Sequence, residues 1–136
     1  MFGALDISTS ALTAQRIRLD AIAGNIANAQ ATRRADGQAG PFRRHITVFE
    51  SGDGRGGAGV HVSEVVEDSS PGRLVYQPWH PDAIQTGEKK GYVEYPNVDT
   101  GTEMIDAMLA SRAYEANITA MDVTKSMISS SLRLLA

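Results

Sequence analysis

The sequence predicts an α+β chain: long N- and C-terminal helices forming a coiled-coil-like antiparallel pair, with a small β-rich segment between them. Three observations carry this. All five prolines (Pro41, Pro71, Pro78, Pro81, Pro96) and eleven of the thirteen glycines lie between Gly37 and Gly101. In a helix interior Gly and Pro cost about 1 and 3 kcal/mol against Ala, so the ends are helix-compatible and the centre is not. Apolar residues recur at helical spacing at both ends, and short β-branched runs bounded by turn residues fill the middle. The chain therefore divides into residues 1–34, an axial helix and its exit; residues 35–101, a β-rich segment with a glycine-rich loop at 51–59; and residues 102–136, a second axial helix.

In the first helix Leu5, Leu12, Leu19 and Ile26 recur every seven residues, with Ile22 and Ala23 filling the intervening turn. Gln15, Arg16, Asp20, Asn25 and Asn28 stand among small apolar residues. Polar side chains in a packed seam weaken it but specify register and partner. Asn25 and Asn28 close the helix with two turn-prone amides, each able to cap its end or to bond across to a neighbouring backbone.

The second helix carries two heptad columns in 3-4 alternation. One is Ala107, Tyr114, Met121, Ile128 and Leu135; the other is Met104, Ser111, Ile118, Lys125 and Leu132. Thr100-Gly-Thr-Glu103 reads as a capping box, which would satisfy the first free N–H groups. Ser111-Arg112-Ala-Tyr-Glu-Ala-Asn117 adds register-specifying polar groups. A helix from 102 to 135 would run about 50 Å, whereas a globule of this chain length is about 35–40 Å across. Such a helix projects, and its outer stripe needs either the first helix or another subunit.

Between the helices, residues 43–49, 59–66, 73–76 and 91–95 read as strands of a small, partly open β unit. The loop from Ser51 to Gly59 is too glycine-rich to hold one conformation cheaply.

Composition removes several classes of function. The chain has no cysteine, which excludes disulfide scaffolds, thiol catalysis and Cys-ligated zinc. No apolar run reaches a membrane-spanning length, and no secretory signal pattern is visible at the start. A net charge of −3 argues against a nucleic-acid binder. Leu, Ile, Val and Phe total 29 of 136 residues while Ala alone contributes 18, so the core is thin.

Local motifs for chemistry are weak. Gly52-Asp-Gly54-Arg-Gly-Gly57 matches a dinucleotide fingerprint, but a strand follows where a helix is required, so no cofactor is expected. His45, His61 and His80 show no metal-ligand spacing. His80 beside Asp82, next to Trp79, is the one candidate acid–base pair. It defines the alternative reading: a small soluble binding module or enzyme with a site near Trp79, His80 and Asp82, against a turn fixed by Pro78 and Pro81 with Trp79 as anchor. Asn117-Ile-Thr119 matches a glycosylation sequon by chance, inside a helix. Arg33, Arg34, Arg43 and Arg44 form a basic patch; residues 1–34 carry +2 and residues 61–99 carry −4. The patch reads as a solvated surface or as a basic root that docks on the acidic β segment of another copy.

Leu12-Thr-Ala-Gln-Arg16, Asp20, Ala23-Gly-Asn-Ile-Ala-Asn-Ala29 and Thr32 resemble the N-terminal signature of the bacterial flagellar rod, hook and axial protein family. Tyr95-Pro-Asn-Val98, Glu103-Met104 and the 111–117 stretch resemble the C-terminal signature of its proximal rod members. Length, Gly59-Val-His-Val62 and Trp79-His-Pro-Asp82 fit as well. Gly24, the 29–33 exit and the 85–91 turn depart from the usual pattern, and Gly24 suggests either a weak turn or a close neighbour.

The resemblance implies a non-enzymatic structural subunit that polymerises into the periplasmic drive shaft, transmits torque and encloses the export channel. It implies export by the flagellar type III apparatus without a cleaved signal peptide. The implied partners are other copies, proximal and distal rod subunits and the rod–MS-ring junction protein, with no nucleic acid and no direct membrane insertion. Terminal helices would form the inner coiled-coil layers, ordering on polymerisation, and the middle would face outward. The expected subunit-interface residues on the first helix are Leu5, Leu12, Gln15, Arg16, Leu19, Asp20, Ile22, Asn25, Ile26 and Asn28. On the second helix they are Met104, Ser111, Arg112, Tyr114, Asn117, Ile118, Met121, Ile128, Leu132 and Leu135.

Overall fold

A computed structural model of the chain describes residues 2–135, with side chains described for residues 3–134. Helix α1 (Phe2–Ala27) is followed by strands β1 (His45–Ser51), β2 (Val60–Glu67), β3 (Arg73–Tyr76) and β4 (Tyr92–Tyr95), then helix α2 (Thr100–Leu135). The helices run antiparallel: Asn25 near the end of α1 bonds Glu103 in the first turn of α2, 3.0 Å apart. Arg18 sits 3.6 Å from Asp106 one turn further on. Counting back from Asn25 at a rise of about 1.5 Å per residue, the start of α1 reaches about residue 126 of α2, and the last turns of α2 run on past it. The expected projection is present. Among the described residues no helix is long and apolar enough to cross a membrane.

Strands β1 and β2 form an antiparallel hairpin, His45 opposite Glu67 and Ser51 opposite Val60, with an irregularity between Val48 and Phe49. Strands β3 and β4 form a second, separate hairpin, Arg73 opposite Tyr95 and Tyr76 opposite Tyr92. The first hairpin lies along α1. His45 is tied to Asn25 at one end, and the Val60 N–H donates to Ser10 Oγ at 3.2 Å at the other. Six strand steps cover about 20 Å and the fifteen helical steps from Asn25 to Ser10 about 22 Å, so the two lengths match. Helix α1 is thus packed on two sides, by α2 and by the hairpin, which is why apolar and small residues surround it instead of marking one face.

The glycine-rich loop has more order than its composition suggests. Asp53 Oδ1 accepts the N–H groups of Arg55 at 2.8 Å and Gly57 at 2.7 Å, and the Gly52 N–H donates to the Gly59 carbonyl at 2.8 Å. The Asp53 carboxyl is held below its ordinary pKa by these backbone donors, that of Arg55 first. One side-chain acceptor supplies the organisation that the glycines cannot. Gly59, at φ 140°, backs directly onto Ser10, and a Cβ there would collide with the Ser10 hydroxyl.

Two local expectations change. The N-cap of α2 is Asp99, whose Oδ1 accepts from Gly101 N–H at 2.8 Å and Thr102 N–H at 3.3 Å. The Thr100–Glu103 capping box does not form, because Glu103 turns inward and is fully buried. The second correction concerns the heptad columns. Ala107, Tyr114, Met121 and Ile128 are half-buried, as expected of one seam column, and the Leu135 side chain lies outside the described residues. The other inward column is Glu103, Ala110, Asn117, Thr124 and Ser131, one residue earlier than Met104, Ser111, Ile118, Lys125 and Leu132. Met104, Ile118 and Leu132 are 60%, 41% and 62% exposed. Small and self-satisfied polar residues face α1, allowing close approach, and the large apolar ones are left outside.

The resulting core is thin. The buried core residues are Ala14, Ile22, Ala29, Ala83, Val93 and Ala110, and the bulkiest fully buried side chains are Glu103, Val93 and Asn25. The chain exposes 9220 Å², against about 6,900 Å² for a compact monomer of its mass.

Candidate functional site

The most heavily constructed place in the molecule is the junction where both helices meet the β segment. Asn25 is 1% exposed and Glu103 0%. Asn25 behaves like one more residue of a strand: its Oδ1 accepts the His45 N–H at 2.8 Å and its Nδ2 donates to the His45 carbonyl at 2.9 Å. The same Nδ2 donates to Glu103 Oε2 at 3.0 Å. Glu103 Oε1 accepts from Arg44 Nε at 2.5 Å, and Arg44 Nη2 also reaches Asp106 at 3.4 Å. A buried carboxylate is tolerated only when paired and hydrogen-bonded, and here each oxygen has one donor. On the far side the Arg44 N–H donates to Asn97 Oδ1 at 2.9 Å, while Asn97 Nδ2 donates to the Asp68 and Ser70 carbonyls. Two helices, β1 and two loops are therefore fixed by one polar network.

The basic patch is consumed within the chain. Arg33 Nε donates to Asp82 Oδ1 at 2.6 Å, Arg34 pairs with Glu67 and Asp36, Arg43 with Glu94 at 3.1 Å, and Arg44 with Glu103 and Asp106. All four arginines have intrachain carboxylate partners, although Arg33 itself remains largely exposed. Arg33, Arg34 and Arg43 tie the root segment to the β unit, and Arg44 ties it to the first turns of α2. The pairing holds the Glu67 and Asp82 carboxyls below their ordinary pKa values, chiefly through the Arg34 and Arg33 hydrogen bonds respectively.

The 79–82 turn has the same purpose. Asp82 Oδ2 accepts from Thr32 Oγ1 at 2.8 Å while its other oxygen takes Arg33, and the Asp82 N–H donates to His80 Nδ1 at 3.1 Å. Both carboxylate oxygens are bonded by the exit of α1, and His80 Nδ1 is bonded within the turn itself. Trp79, expected as an anchor, is 94% exposed instead. No group of three or more His, Asp or Glu able to hold a metal is present among the described residues.

The expected interface residues separate into two sets. Leu5, Leu12, Leu19, Ile22 and Ile26 of α1 and Tyr114, Asn117, Met121 and Ile128 of α2 are buried or half-buried within the chain itself. Arg16, Asp20, Met104, Ser111, Arg112, Ile118 and Leu132 face outward. Register is fixed at the junction and not along the seam: Asn117 Nδ2 donates to the Ala113 carbonyl and Thr124 Oγ1 to the Ala120 carbonyl of their own helix, each at 2.8 Å. Asn28 closes α1 by donating to the Gly24 carbonyl at 2.8 Å, and Asn25 bonds across, one instance of each expected amide role. Gly24 has open space around it, so no neighbour within the chain requires it. Gln15 is half-buried and its Oε1 has no partner among the described residues. Sequence reading missed Glu103 and Arg44 as a network, and no local signal in the sequence links the two.

Both ends of this architecture match described families. Residues 5–35 match the family described as flagella basal body rod protein, and residues 89–134 the family described as flagellar basal body rod FlgEFG protein C-terminal. Over its whole length the chain is similar to the flagellar basal-body rod protein FlgC of Borreliella burgdorferi, 43% identical with 99% of this chain and 97% of that protein aligned. It is 41% identical to the FlgC of Bacillus subtilis, over 98% and 97% of the two chains. It is 44% identical to that of Escherichia coli O6:H1, over 95% and 93%.

Proposed function

The chain belongs to the FlgC family of flagellar basal-body rod proteins, and on that premise we propose how it does its work in the rod. It is a structural subunit of the basal-body rod, and it assembles there with other rod proteins. We assign it to the proximal, periplasmic part of the drive shaft, where it transmits torque and encloses the export channel. Its chemistry is packing and not catalysis; the occupied Asp82 supports that choice over a site near Trp79 and His80. Its neighbours are further copies, other proximal and distal rod subunits and the rod–MS-ring junction protein, and it reaches them through the flagellar type III export apparatus. Residues 1–34 and 102–136 are the axial layers and residues 35–101 the outward segment.

The observation that carries this reading is the excess surface. A chain of 14.5 kDa that exposes about 2,300 Å² more than a compact monomer has the shape of one piece of a larger core, and much of that surface is apolar residues of α2. The outward set of interface residues then contacts neighbouring subunits, while the inward set builds the helical pair that presents them. A test separates the two. Ile118→Asp lies on the outer face, so the free chain should keep its wild-type far-ultraviolet spectrum and melting temperature, yet cells carrying it should be non-motile and lack the subunit in purified basal bodies. Normal motility would remove Ile118 from the interface; a lost fold would mean that it belongs to the inner seam.

A further inference from the structure

Two apolar patches remain uncovered, and they lie on different elements. The first is on the β3–β4 hairpin. Alternate strand residues share a face. Val93, opposite Val75, is fully buried, while Leu74, Tyr76 and Tyr92 are 38%, 62% and 37% exposed. The Tyr76 and Tyr92 rings meet edge to face with centroids 5.2 Å apart. Gly91 brings Pro78 alongside Tyr76, since a Cβ there would touch both. Trp79 follows Pro78 at 94% exposure. The second patch is the outer face of the first turns of α2, where Met104, Ile105, Met108 and Leu109 are 60%, 56%, 56% and 53% exposed. These residues stand at i, i+1, i+4 and i+5, one helix surface. Among the described elements α2 packs on α1 alone, so neither patch covers the other within one chain.

We propose that the aromatic patch of one copy docks on the methionine patch at the α2 root of the next. This rests on the rod reading above and names one of its contacts. The occupant follows from three properties. Thioether sulfur and aromatic edges attract one another, and flexible methionines conform to a ring surface. The patches are different surfaces of one chain, so their contact is heterologous, the kind that propagates into rings or open helical assemblies and does not close as a dimer. The area is also suitable. Fully buried aromatics contribute about 150–250 Å² each, so three partly exposed rings offer about half of the roughly 800 Å² per partner of a stable pair. The contact is weak alone and gains strength when other contacts hold the copies side by side.

The chain's single tryptophan follows Pro78 at the edge of the patch and is exposed, which makes the contact observable. Two double variants of the full chain are compared with wild type by sedimentation velocity and tryptophan fluorescence up to millimolar concentration: Tyr76→Ser with Trp79→Ser, and Met104→Glu with Met108→Glu. All four positions are exposed, so circular dichroism should be unchanged. Wild type should associate with rising concentration, and its emission should shift to shorter wavelength and resist acrylamide. Each variant alone should stay monomeric with no shift. An equimolar mixture should form a one-to-one pair that shields Trp79, because each variant supplies the half the other lacks. A mixture that stays monomeric, a methionine variant that still shields Trp79 by itself, or wild type that never associates would overturn the proposal. Incorporation of the Tyr76/Trp79 variant into functional rods would also overturn it while leaving the rod assignment intact; absence of wild type from rods would instead remove that assignment.

Discussion

Glu103→Gln should be among the most damaging single-atom-scale changes available in this chain, although it keeps shape and volume. Both carboxylate oxygens receive donors, Arg44 Nε at 2.5 Å and Asn25 Nδ2 at 3.0 Å. A glutamine offers one acceptor and one NH₂, so whichever way the amide is turned its NH₂ faces another donor. The change also removes the charge opposite Arg44. Breaking a buried ion pair costs about 3–5 kcal/mol. Arg44 is only partly buried and keeps Asp106 at 3.4 Å, which reduces the expectation to about 2–3 kcal/mol. With an m-value of about 1.5 kcal/mol per molar urea, the unfolding midpoint of the free chain should fall by about 1.3–2 M, followed by near-ultraviolet tyrosine dichroism. The His45 amide, which donates to Asn25, should lose hydrogen-exchange protection at the same time. A double-mutant cycle with Asn25→Ala should show coupling of about 1 kcal/mol or more. A midpoint within about 0.3 M of wild type, which is about 0.5 kcal/mol on the same slope, would refute the claim that this network sets the roots of the helices.

Other predictions follow from single features. Gln15→Met should raise the melting temperature of the free chain, because it removes an orphaned buried acceptor whose desolvation costs about 1–3 kcal/mol; a lower melting temperature would mean that Gln15 has a partner in solution. Gly59→Ala should destabilise by about 1–2 kcal/mol through collision with Ser10 and a disfavoured φ, whereas Gly24→Ala should stabilise the free chain by about 1 kcal/mol; paired urea titrations separate the two signs. The Asp82 and Glu67 carboxyls titrate lower in the folded chain than when unfolded. Their arginine clasps therefore contribute fully above the ordinary carboxylate range of about pH 4, and that contribution fades as pH falls through the folded values. Exchange protection around Thr32 should thus persist at pH 5 and be lost in stronger acid, and a loss at neutral pH would contradict the clasp.

What the sequence made legible was local in origin. Gly and Pro act where they stand, so the two helices and four strands are found within about two residues of their expected limits. Heptad arithmetic located one column of α2 and placed the other one residue too late. It favours large apolar residues, and this helix turns Ala110, Asn117 and Thr124 inward and leaves Met104, Ile118 and Leu132 out. The junction was hidden for a different reason. Asn25 and Glu103 are 78 positions apart and Arg44 and Glu103 are 59 apart, and nothing in the neighbourhood of any of them announces the others. Trp79 misled because indole burial is the usual outcome in a lone domain, and its exposure has meaning only if another surface covers it.

These differences share one physical cause. In a self-sufficient domain the large apolar side chains are inside and the ionised ones outside. Here the bulkiest fully buried groups include a glutamate and an asparagine, while Trp79, Met104, Met108, Met127 and Leu134 are more than half exposed. Apolar burial drives association without direction, so a subunit that met its neighbours through apolar surface alone would have no fixed angle between its helices and its outer segment. The polar junction supplies that angle from within the chain: Asn25, Arg44 and Glu103 are held by directional hydrogen bonds, whereas the Ala-rich seam beyond them has none across it among the described residues. The arrangement predicts that variants at the junction and variants at the outer face fail differently. Junction variants should yield destabilised or misangled subunits, and outer-face variants stable subunits that do not join. The contrast between Glu103→Gln and Ile118→Asp, read by denaturation and by basal-body composition together, decides whether angle and adhesion are separately encoded.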